Sequence, residues 1–243
     1  MKWRILGLCA LLTLTGCATG FDRGAVVEQL DEGKGKVTDA DIKKVLEKRA
    51  QLDFPVKIAV QLVSETYKIA AAEGGKNMAL RVQEWRWTTE DKERIEKWAA
   101  SLDKDIVSDV FVMSDLVTSG EDVESARLAA ARHGADVVLY VKGVAQVDEY
   151  ADPLAISNLL IVPIWLVPSW HADTLFIMKG AMYDVANGVL YVSAQSESIG
   201  KVTAPPAVIE TKDSINKAKT QALKKFGDEF IKRVSALKGD ESQ

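Results

Sequence analysis

The sequence predicts an α/β fold in which helices pack on a mixed α+β-type sheet, and three observations support it. Apolar runs rich in β-branched residues alternate with amphipathic helical segments along most of the chain. A hydrophobic content of 47% and a charged content of 27% are typical of a globular domain and exclude a disordered chain of 243 residues. The predicted elements over residues 55–237 follow the order β-α-β-α-β-β-β-α, with a C-terminal hairpin and a long final amphipathic helix.

A tether and a short helix are predicted ahead of the sheet. Residues 17–37 contain several glycines and are predicted to form the tether. A capping box follows, because Thr38 and Asp41 can accept the first N–H groups of a helix. This leading helix is predicted over residues 38–50. Its apolar stripe consists of Ile42, Val45 and Leu46.

The middle of the chain predicts three strands separated by helices. The strands are apolar through their centres, which is typical of strands covered on both faces. The helices begin near Thr88 and Asp122, and the second ends at His133-Gly134. The last strand, helix and strand of this part form a parallel βαβ unit. The segments are a strand at 56–63, a helix at 89–102, a strand at 106–114, a helix at 122–133 and a strand at 136–143. Residues 64–87 give no definite prediction.

A hairpin is predicted after residue 173. Its strands span Thr174–Asp184 and Val189–Ser198, on either side of Asn187-Gly188. This dipeptide predicts a type I′ turn, because both residues tolerate a positive φ. Val185 and Ala186 leave a longer loop open as an alternative.

The final element is a long amphipathic helix over residues 211–237. It follows Pro205-Pro206, which interrupts the preceding strand pattern. A polar tail is predicted over residues 238–243. The apolar side of the helix consists of Ile215, Ala218, Ala222, Phe226, Phe230, Val234 and Leu237.

The first 17 residues resemble a lipoprotein export signal. A basic start precedes a mostly apolar run, Ile5 to Leu14, which is too short for a membrane-spanning helix of roughly 20 residues. Leu14-Thr15-Gly16-Cys17 resembles the lipobox of bacterial lipoproteins, in which the cysteine is acylated and the chain is cleaved before it. We therefore predict a signal peptide at residues 1–16 and lipidation of Cys17, with palmitate as a label for the acyl chains. An ordinary signal-peptide cysteine is the alternative.

The residue after the cysteine implies the compartment. In Gram-negative lipoproteins an Asp at that position retains the protein in the inner membrane, and here Ala18 follows Cys17. The resemblance therefore implies an outer-membrane protein, anchored by lipid, with its domain on the periplasmic face. The other cysteine, Cys9, lies in the signal peptide. The mature chain would then have no intramolecular disulfide and no thiol for catalysis.

Few residues suggest catalysis. His133 lies at a predicted helix C-terminus, where a capping role is favoured, and His171 lies in a predicted loop. Asp148, Glu149 and Asp152 follow a predicted strand end and are interpreted as a solvated loop, with a hydrolase carboxylate as the alternative. The sequence has neither ligand-spaced His and Cys pairs nor a glycine-rich phosphate loop. We therefore predict no catalytic residue, no metal ligand and no cofactor.

An apolar segment at residues 154–170 does not fit the sheet pattern. Its central run, Leu159–Pro168, is too short to span a membrane and does not alternate as a half-exposed strand does. Two interpretations stay open: a buried cover over the sheet, or an exposed patch that contacts a partner or lipid headgroups. The predicted contact residues of such a patch are Leu160, Ile161, Ile164, Trp165, Leu166 and Trp170.

Two motifs and the element order resemble known envelope proteins. Gly-Ala-Asp-Val-Val opens a strand at 134–138, and Tyr-Asp-Val-Ala-Asn-Gly occupies the hairpin at 183–188. With the element order, they resemble the α/β domain of the Tol-Pal propeller protein N-terminal region and of the lipoproteins of curli secretion and penicillin-binding-protein activation. The apolar run, the hairpin and the lipobox resemble rhombotarget lipoproteins. Neither resemblance implies catalytic residues.

The resemblance and the anchor together imply a non-enzymatic binding or assembly module. Its expected partners are the membrane, through the N-terminal lipid, and unidentified envelope proteins, with a homo-oligomer as a further option. The net charge of −4 provides no basic field for nucleic acid. Two alternatives stay open: a self-assembling secretion or pore component of the curli-channel type, and a carboxylate-dependent hydrolase.

Overall fold

The fold is taken from a computed structural model, which describes residues 20–31, 38–48, 52–64, 66–71, 83–114, 122–151, 168–205 and 209–240. The helices are α1 (Arg23–Asp31), α2 (Asp39–Leu46), α3 (Thr89–Ala99), α4 (Val123–Arg132) and α5 (Thr211–Asp240). The strands are β1 (Val56–Ser64), β2 (Thr66–Ala71), β3 (Gln83–Glu84), β4 (Val107–Val112), β5 (Val137–Ala151), β6 (Trp170–Asp184) and β7 (Leu190–Ala204).

The sheet is mixed and is built around the long strand β5. β1 and β2 run parallel to β5 along one edge, and the register shifts by one residue between Ser64↔Gly143 and Lys68↔Gln146. β4 pairs parallel with β1, and the short β3 pairs antiparallel with β2. β6 lies antiparallel on the other edge of β5, and β7 pairs with β6. The predicted α/β class is confirmed, and the two strands of the predicted βαβ unit, β4 and β5, are parallel, with β1 between them.

Helices α3 and α5 cover one side of the sheet, named here the α5 face. The β5 residues Leu139, Val141 and Val147 lie on this side, and each is at most 1% exposed. Full burial of each such side chain contributes roughly 1.5–3 kcal/mol. Trp85, from the segment that had no definite prediction, is buried here and meets Phe176 edge-on at 4.8 Å. The buried residues of α5 are Ser214, Ile215, Ala218, Lys219, Ala222, Leu223, Phe226, Gly227, Phe230 and Val234.

Helices α1 and α4 cover part of the other side, named here the α4 face. α4 packs through its alanines against Val138 and Tyr140 of β5. Its N-cap is Asp122, as predicted, and its side chain accepts from Ser125 N–H at 2.8 Å. The structure has the helix α1 within residues 17–37, where the sequence predicted a tether. Its residues Val26 and Leu30 are buried against Val144, Leu175 and Ile177.

The leading helix is shorter than predicted and has no buried residue among those described. The capping box of Thr38 and Asp41 is present, but the helix ends at Leu46 instead of residue 50. Ile42, Val45 and Leu46 are 50%, 61% and 79% exposed. The apolar stripe predicted from the sequence is therefore not buried in the structure.

The hairpin turn differs from the predicted type I′ geometry. Gly188 has φ of +72°, but Asn187 does not have a positive φ. The loop spans residues 185–188 and is closed by Asp184 N–H donating to Val189 O at 2.9 Å. The Asp184 carboxylate accepts from the N–H groups of Ala186 and Asn187, which stabilises the longer loop. The longer loop that was left open is therefore the observed one.

Several predicted elements extend further in the structure. β5 continues to Ala151, while β6 begins at Trp170 and β7 ends at Ala204. The final helix continues to Asp240, into the predicted polar tail. These extensions bring the residues around Asp148 and Asp173 into the sheet. None of the described helices is both long and apolar enough to cross a bilayer.

Candidate functional site

Most of the candidate site residues predicted from the sequence lie outside the described part of the chain. Cys17 is among them, as are Leu160, Ile161, Ile164, Trp165 and Leu166, and also Asp152. Trp170 is described: it is half-buried at the start of β6, where it pairs with Ala151 and Ala204. The sequence predictions for the other contact residues therefore stay predictions.

The apolar segment leaves and re-enters the sheet at the same end. β5 ends at Ala151 and β6 begins at Trp170, and these two residues are in register. The chain between them therefore starts and finishes at one place, named here the Ala151 end. α5 also begins at this end, since the Thr211 hydroxyl donates to the Glu149 carboxylate.

The N-terminal segment is held against the same end of the sheet. Gly20 N–H donates to the Asp148 carboxylate at 3.1 Å, and Asp148 is only 2% exposed. From there α1 runs over the α4 face, and its Arg23 pairs with Glu197 of β7 at 3.5 Å. The chain is therefore held on the domain over residues 20–31, and Gly20 is the third residue after Cys17.

Polar side chains of three strands form a connected network at the Ala151 end. The rings of Tyr150 and His171 stack at 4.9 Å with an interplanar angle of 12°. His171 Nδ1 lies 2.9 Å from Thr203 Oγ1. Lys201 Nζ lies 2.7 Å from the Asp173 carboxylate, which also accepts from Tyr150 Oη at 3.5 Å. We call these five residues the end network.

Two pKa shifts define the protonation of the end network. Burial raises the pKa of Tyr150 above its ordinary value, and the nearby Asp173 carboxylate raises it further. The hydrogen bond to Asp173 and its charge raise the pKa of Lys201. At neutral pH Tyr150 is therefore neutral and Lys201 is charged. Nucleophilic or general-base chemistry needs these pKa values shifted in the opposite direction.

The structure corrects the interpretation of three polar residues. His171 lies in β6, not in a loop. Its ring stacks on that of Tyr150, which is opposite it on β5. Asp148 and Glu149 lie within β5, not in a solvated loop. The Asp148 carboxylate accepts from Gly20 N–H, and the Glu149 carboxylate accepts from the Thr211 hydroxyl. Asp148 lies directly opposite Asp173 in the register. These carboxylates hold the N-terminal segment, α5 and Lys201.

His133 occupies the predicted position at the end of α4. Its backbone N–H donates to Ala129 O and Ala130 O, and Gly134 follows with a φ of +65°. The imidazole itself lies 5.4 Å from the Phe111 ring. Its side-chain contact is therefore aromatic.

Sequence reasoning missed a buried ion pair on the α5 face. Lys219 and Asp91 are 2% and 1% exposed, and Lys219 Nζ lies 2.5 Å from the Asp91 carboxylate. The ammonium also donates to Arg86 O at 2.9 Å. The signal was present, because Lys219 is four residues from Ile215 and four from Leu223, within the apolar side of the helix. Across the described ranges no group of three or more His, Cys, Asp or Glu side chains could hold a metal ion.

Comparisons with known proteins identify no family. No family model and no curated protein matches this chain. Similar solved structures include a hypothetical protein from Chlamydia trachomatis, with 10% identity over 73% of this chain and 98% of that chain at a TM-score of 0.35. They also include a protein of Xanthomonas campestris, with 11% identity over 78% of this chain and 91% of that chain at a TM-score of 0.37. A neuraminyllactose-binding hemagglutinin homolog from Helicobacter pylori has 12% identity over 76% of this chain and 87% of that chain, at a TM-score of 0.34.

Proposed function

We propose that this protein is an outer-membrane lipoprotein, acylated at Cys17, whose α/β domain binds other envelope proteins on the periplasmic side. The observation that supports this best is the bond between Gly20 and Asp148 at the Ala151 end. It holds Gly20, three residues after the proposed lipid site, at the end of the sheet where the chain leaves β5 before the proposed contact segment, residues 154–170, and re-enters the sheet at Trp170.

The length of chain between the lipid and the domain is short. Gly20 is the third residue after Cys17, and three residues of fully extended chain span about 10 Å. Acyl chains on Cys17 would therefore hold the Ala151 end next to the bilayer. A tether that was loose over residues 17–37 would leave the domain free to turn; the docked α1 removes that freedom.

The apolar segment is the proposed binding surface. β5 ends ahead of this segment at Ala151, and the segment's last residue is Trp170; both residues lie at the membrane-facing end in this arrangement. A segment of this composition at that place is suited to bind an apolar surface of a neighbouring envelope protein beside the headgroups.

Site-specific photo-crosslinking in native membranes tests this proposal. A photoreactive residue replaces Ile164 or Trp165 in separate variants, and a third variant has it at Lys104. Lys104 is the matched control, because it is exposed and precedes β4, whose start lies beside Val56 at the opposite end of the sheet. We expect a discrete adduct with another envelope protein from positions 164 and 165, and none from position 104.

Two results would contradict the proposal. Equal adduct patterns at all three positions would show that the segment is not a binding surface. An adduct of twice the monomer mass, formed with the same chain only, would favour the self-assembling alternative. The Cys17→Ala variant, examined in parallel, is expected to lose the adducts because the domain leaves the membrane.

A further inference from the structure

Residues 20–31, named here the α1 strap, dock on the α4 face through a small apolar contact. Among the described side chains of the strap, only Val26 and Leu30 are buried. They lie one helical turn apart and pack on three fully buried residues of β5 and β6: Val144, Leu175 and Ile177. By comparison, α5 has ten buried residues along its length. The strap is therefore attached through a much smaller apolar surface than the long helix of the opposite face.

Two polar contacts supplement the apolar one. Gly20 N–H donates to the Asp148 carboxylate at 3.1 Å. Arg23 Nε lies 3.5 Å from the Glu197 carboxylate, but the two side chains are 54% and 48% exposed. Ion pairs as exposed as this one contribute little to stability. The polar contacts therefore set the position of the strap more than they strengthen its attachment.

The helix of the strap depends on its docking. α1 has nine residues, and isolated helices shorter than about 12–15 residues are marginal in water. Gly24, Val26 and Val27 also have lower helix propensity than alanine. The helix and its docking are therefore expected to form together and to be lost together.

We propose that the α1 strap docks reversibly and so gives the domain two distances from the bilayer. Asp31 is the fourteenth residue after Cys17, whereas Gly20 is the third. Release of the strap therefore lengthens the fully extended chain between the lipid and the domain from about 10 Å to about 50 Å. The change in distance rests on the proposed function, whereas the opening of the strap does not.

The docked form is the resting state, because release exposes apolar side chains on both surfaces. The surface involved is small, so the strap opens far more often than the whole fold unfolds. In the docked form the Ala151 end stays next to the headgroups. In the released form the domain can contact partners further from the membrane.

Hydrogen–deuterium exchange of the purified full chain in detergent, followed by mass spectrometry, tests the opening. After correction for intrinsic rates, we expect the amides of α1 to exchange about tenfold or more faster than those of β5. Their exchange is also expected to depend less on urea, because opening the strap exposes less surface than unfolding. Amides of α1 that exchange at the same rate as those of β5, with the same urea dependence, would overturn the proposal.

Leu30→Asp is expected to release the strap without unfolding the sheet, because it would put an unpaired carboxylate in a buried apolar site. The amides of α1 should then exchange as fast as those of an unstructured peptide, while β5 stays protected. Leu128→Asp is the matched control, since Leu128 is 52% exposed on α4, and it is expected to leave both regions unchanged. Protection of α1 that persists in Leu30→Asp, or protection of α1 and β5 that is lost together, would overturn the proposal.

Energy transfer to a short-range acceptor in the headgroups of liposomes tests the two distances on the acylated protein. The fluorophore is attached at Asn216→Cys, an exposed position in α5, which begins at the Ala151 end. Cys9 and Cys17 are the chain's own cysteines, and the predicted processing leaves neither as a free thiol. We expect the transfer efficiency to fall about twofold or more in Leu30→Asp but not in Leu128→Asp, because a flexible chain of fourteen residues spans about 20 Å on average.

The two measurements fail in different ways. An acylated wild type with the same transfer efficiency as Leu30→Asp would overturn the two distances. A wild type without acyl chains would contradict the proposed function, whereas the exchange measurement on α1 does not depend on acylation.

Discussion

At the scale of single residues, Lys219 is a buried charge that contacts several groups at once. Its ammonium pairs with Asp91, donates to Arg86 O and lies 5.9 Å and 5.8 Å from the ring centroids of Trp85 and Trp87. Asp91 also accepts from Thr88 N–H and so completes the capping box of α3. One ion pair therefore joins α5 to the start of α3 and to the chain before it. Such pairs fix an arrangement more than they add net stability.

Removal of the Lys219 ammonium is expected to destabilise the fold. Lys219→Met keeps the apolar stem but leaves the buried Asp91 carboxylate without its closest cation. We expect the free energy of unfolding to fall by about 3 kcal/mol, at the low end for broken buried pairs because Arg94 and Thr88 still donate to Asp91. Urea denaturation followed by tryptophan fluorescence measures the change. Lys224→Met, at an exposed position of the same helix, is the matched control.

The same measurement has a clear contradicting outcome. Lys224→Met is expected to change the free energy of unfolding by less than about 0.5 kcal/mol. If the two variants had equal effects, the pair between Lys219 and Asp91 would not have the role described here.

The end network predicts a loss of stability at alkaline pH. The pKa values of Tyr150 and Lys201 are raised in the folded state from 10.0 and 10.5. A group with a raised folded pKa contributes stability that is present below its unfolded pKa and is lost as the pH rises through the folded pKa. We therefore expect these groups to give no pH dependence near neutrality and a falling free energy of unfolding above about pH 10.

Tyr150→Phe isolates the tyrosine in this prediction. The variant keeps the aromatic stack on His171 but cannot ionise, so its loss of stability above about pH 10 is expected to be shallower than in the wild type. Urea denaturation at a series of pH values from neutral to alkaline measures both slopes. Parallel curves for the two proteins would show that Tyr150 does not titrate differently on folding.

At the scale of elements, α5 approaches β7 unusually closely at Gly200. A Cβ atom at this position would lie 2.1 Å from Ser214 O and 2.6 Å from Ala218 N, which are backbone atoms of the helix. The same helix donates from Lys217 and Lys225 to the carbonyl groups of Lys201 and Glu197 on β7. β7 is an edge strand in the described sheet, and these lysines occupy part of its outer hydrogen-bonding groups.

Gly200→Ala is expected to separate α5 from the sheet. The added methyl group cannot be accommodated by a rotamer change, because the atoms it meets belong to the backbone. We expect the free energy of unfolding to fall by about 2 kcal/mol or more, the range for overpacked cores. Gly24→Ala is the control of identical chemistry in the exposed first turn of α1, where only the Asp22 side chain lies nearby, at 3.3 Å. Chemical denaturation measures the free energy of unfolding of the two variants. A Gly200→Ala protein with an unchanged free energy of unfolding would contradict the close packing.

At the scale of the whole molecule, the sequence predicted the element order apart from α1, β2 and β3, because periodicities and caps are local signals. The boxes of Thr38 with Asp41 and of Thr88 with Asp91 are both present. The docking of α1 could not be predicted, since Val26 and Leu30 are buried against Val144, Leu175 and Ile177, which are more than a hundred positions away. The extensions of β5 and β6 were missed for the same reason. Asp148 and Asp173 look like loop residues until their donors, Gly20 N–H and Lys201, are brought to them.

The candidate sites also differ in whether local sequence signals could predict them. Lipidation of Cys17 and the contact role of residues 154–170 are predictions from linear motifs, and both stretches lie mostly outside the described residues. The end network was not predictable, because it depends on the register that puts Tyr150 opposite His171 and Asp173 opposite Lys201. These residues become neighbours only in the assembled sheet.

Metabolic labelling with palmitate, combined with membrane fractionation, tests the central claim most directly. The wild-type chain and Cys17→Ala are expressed with their own leader in a Gram-negative host. We expect the wild type to incorporate the label and sediment with the outer membrane, and Cys17→Ala to do neither. A wild-type chain that remains unlabelled and stays in the soluble fraction would contradict the account.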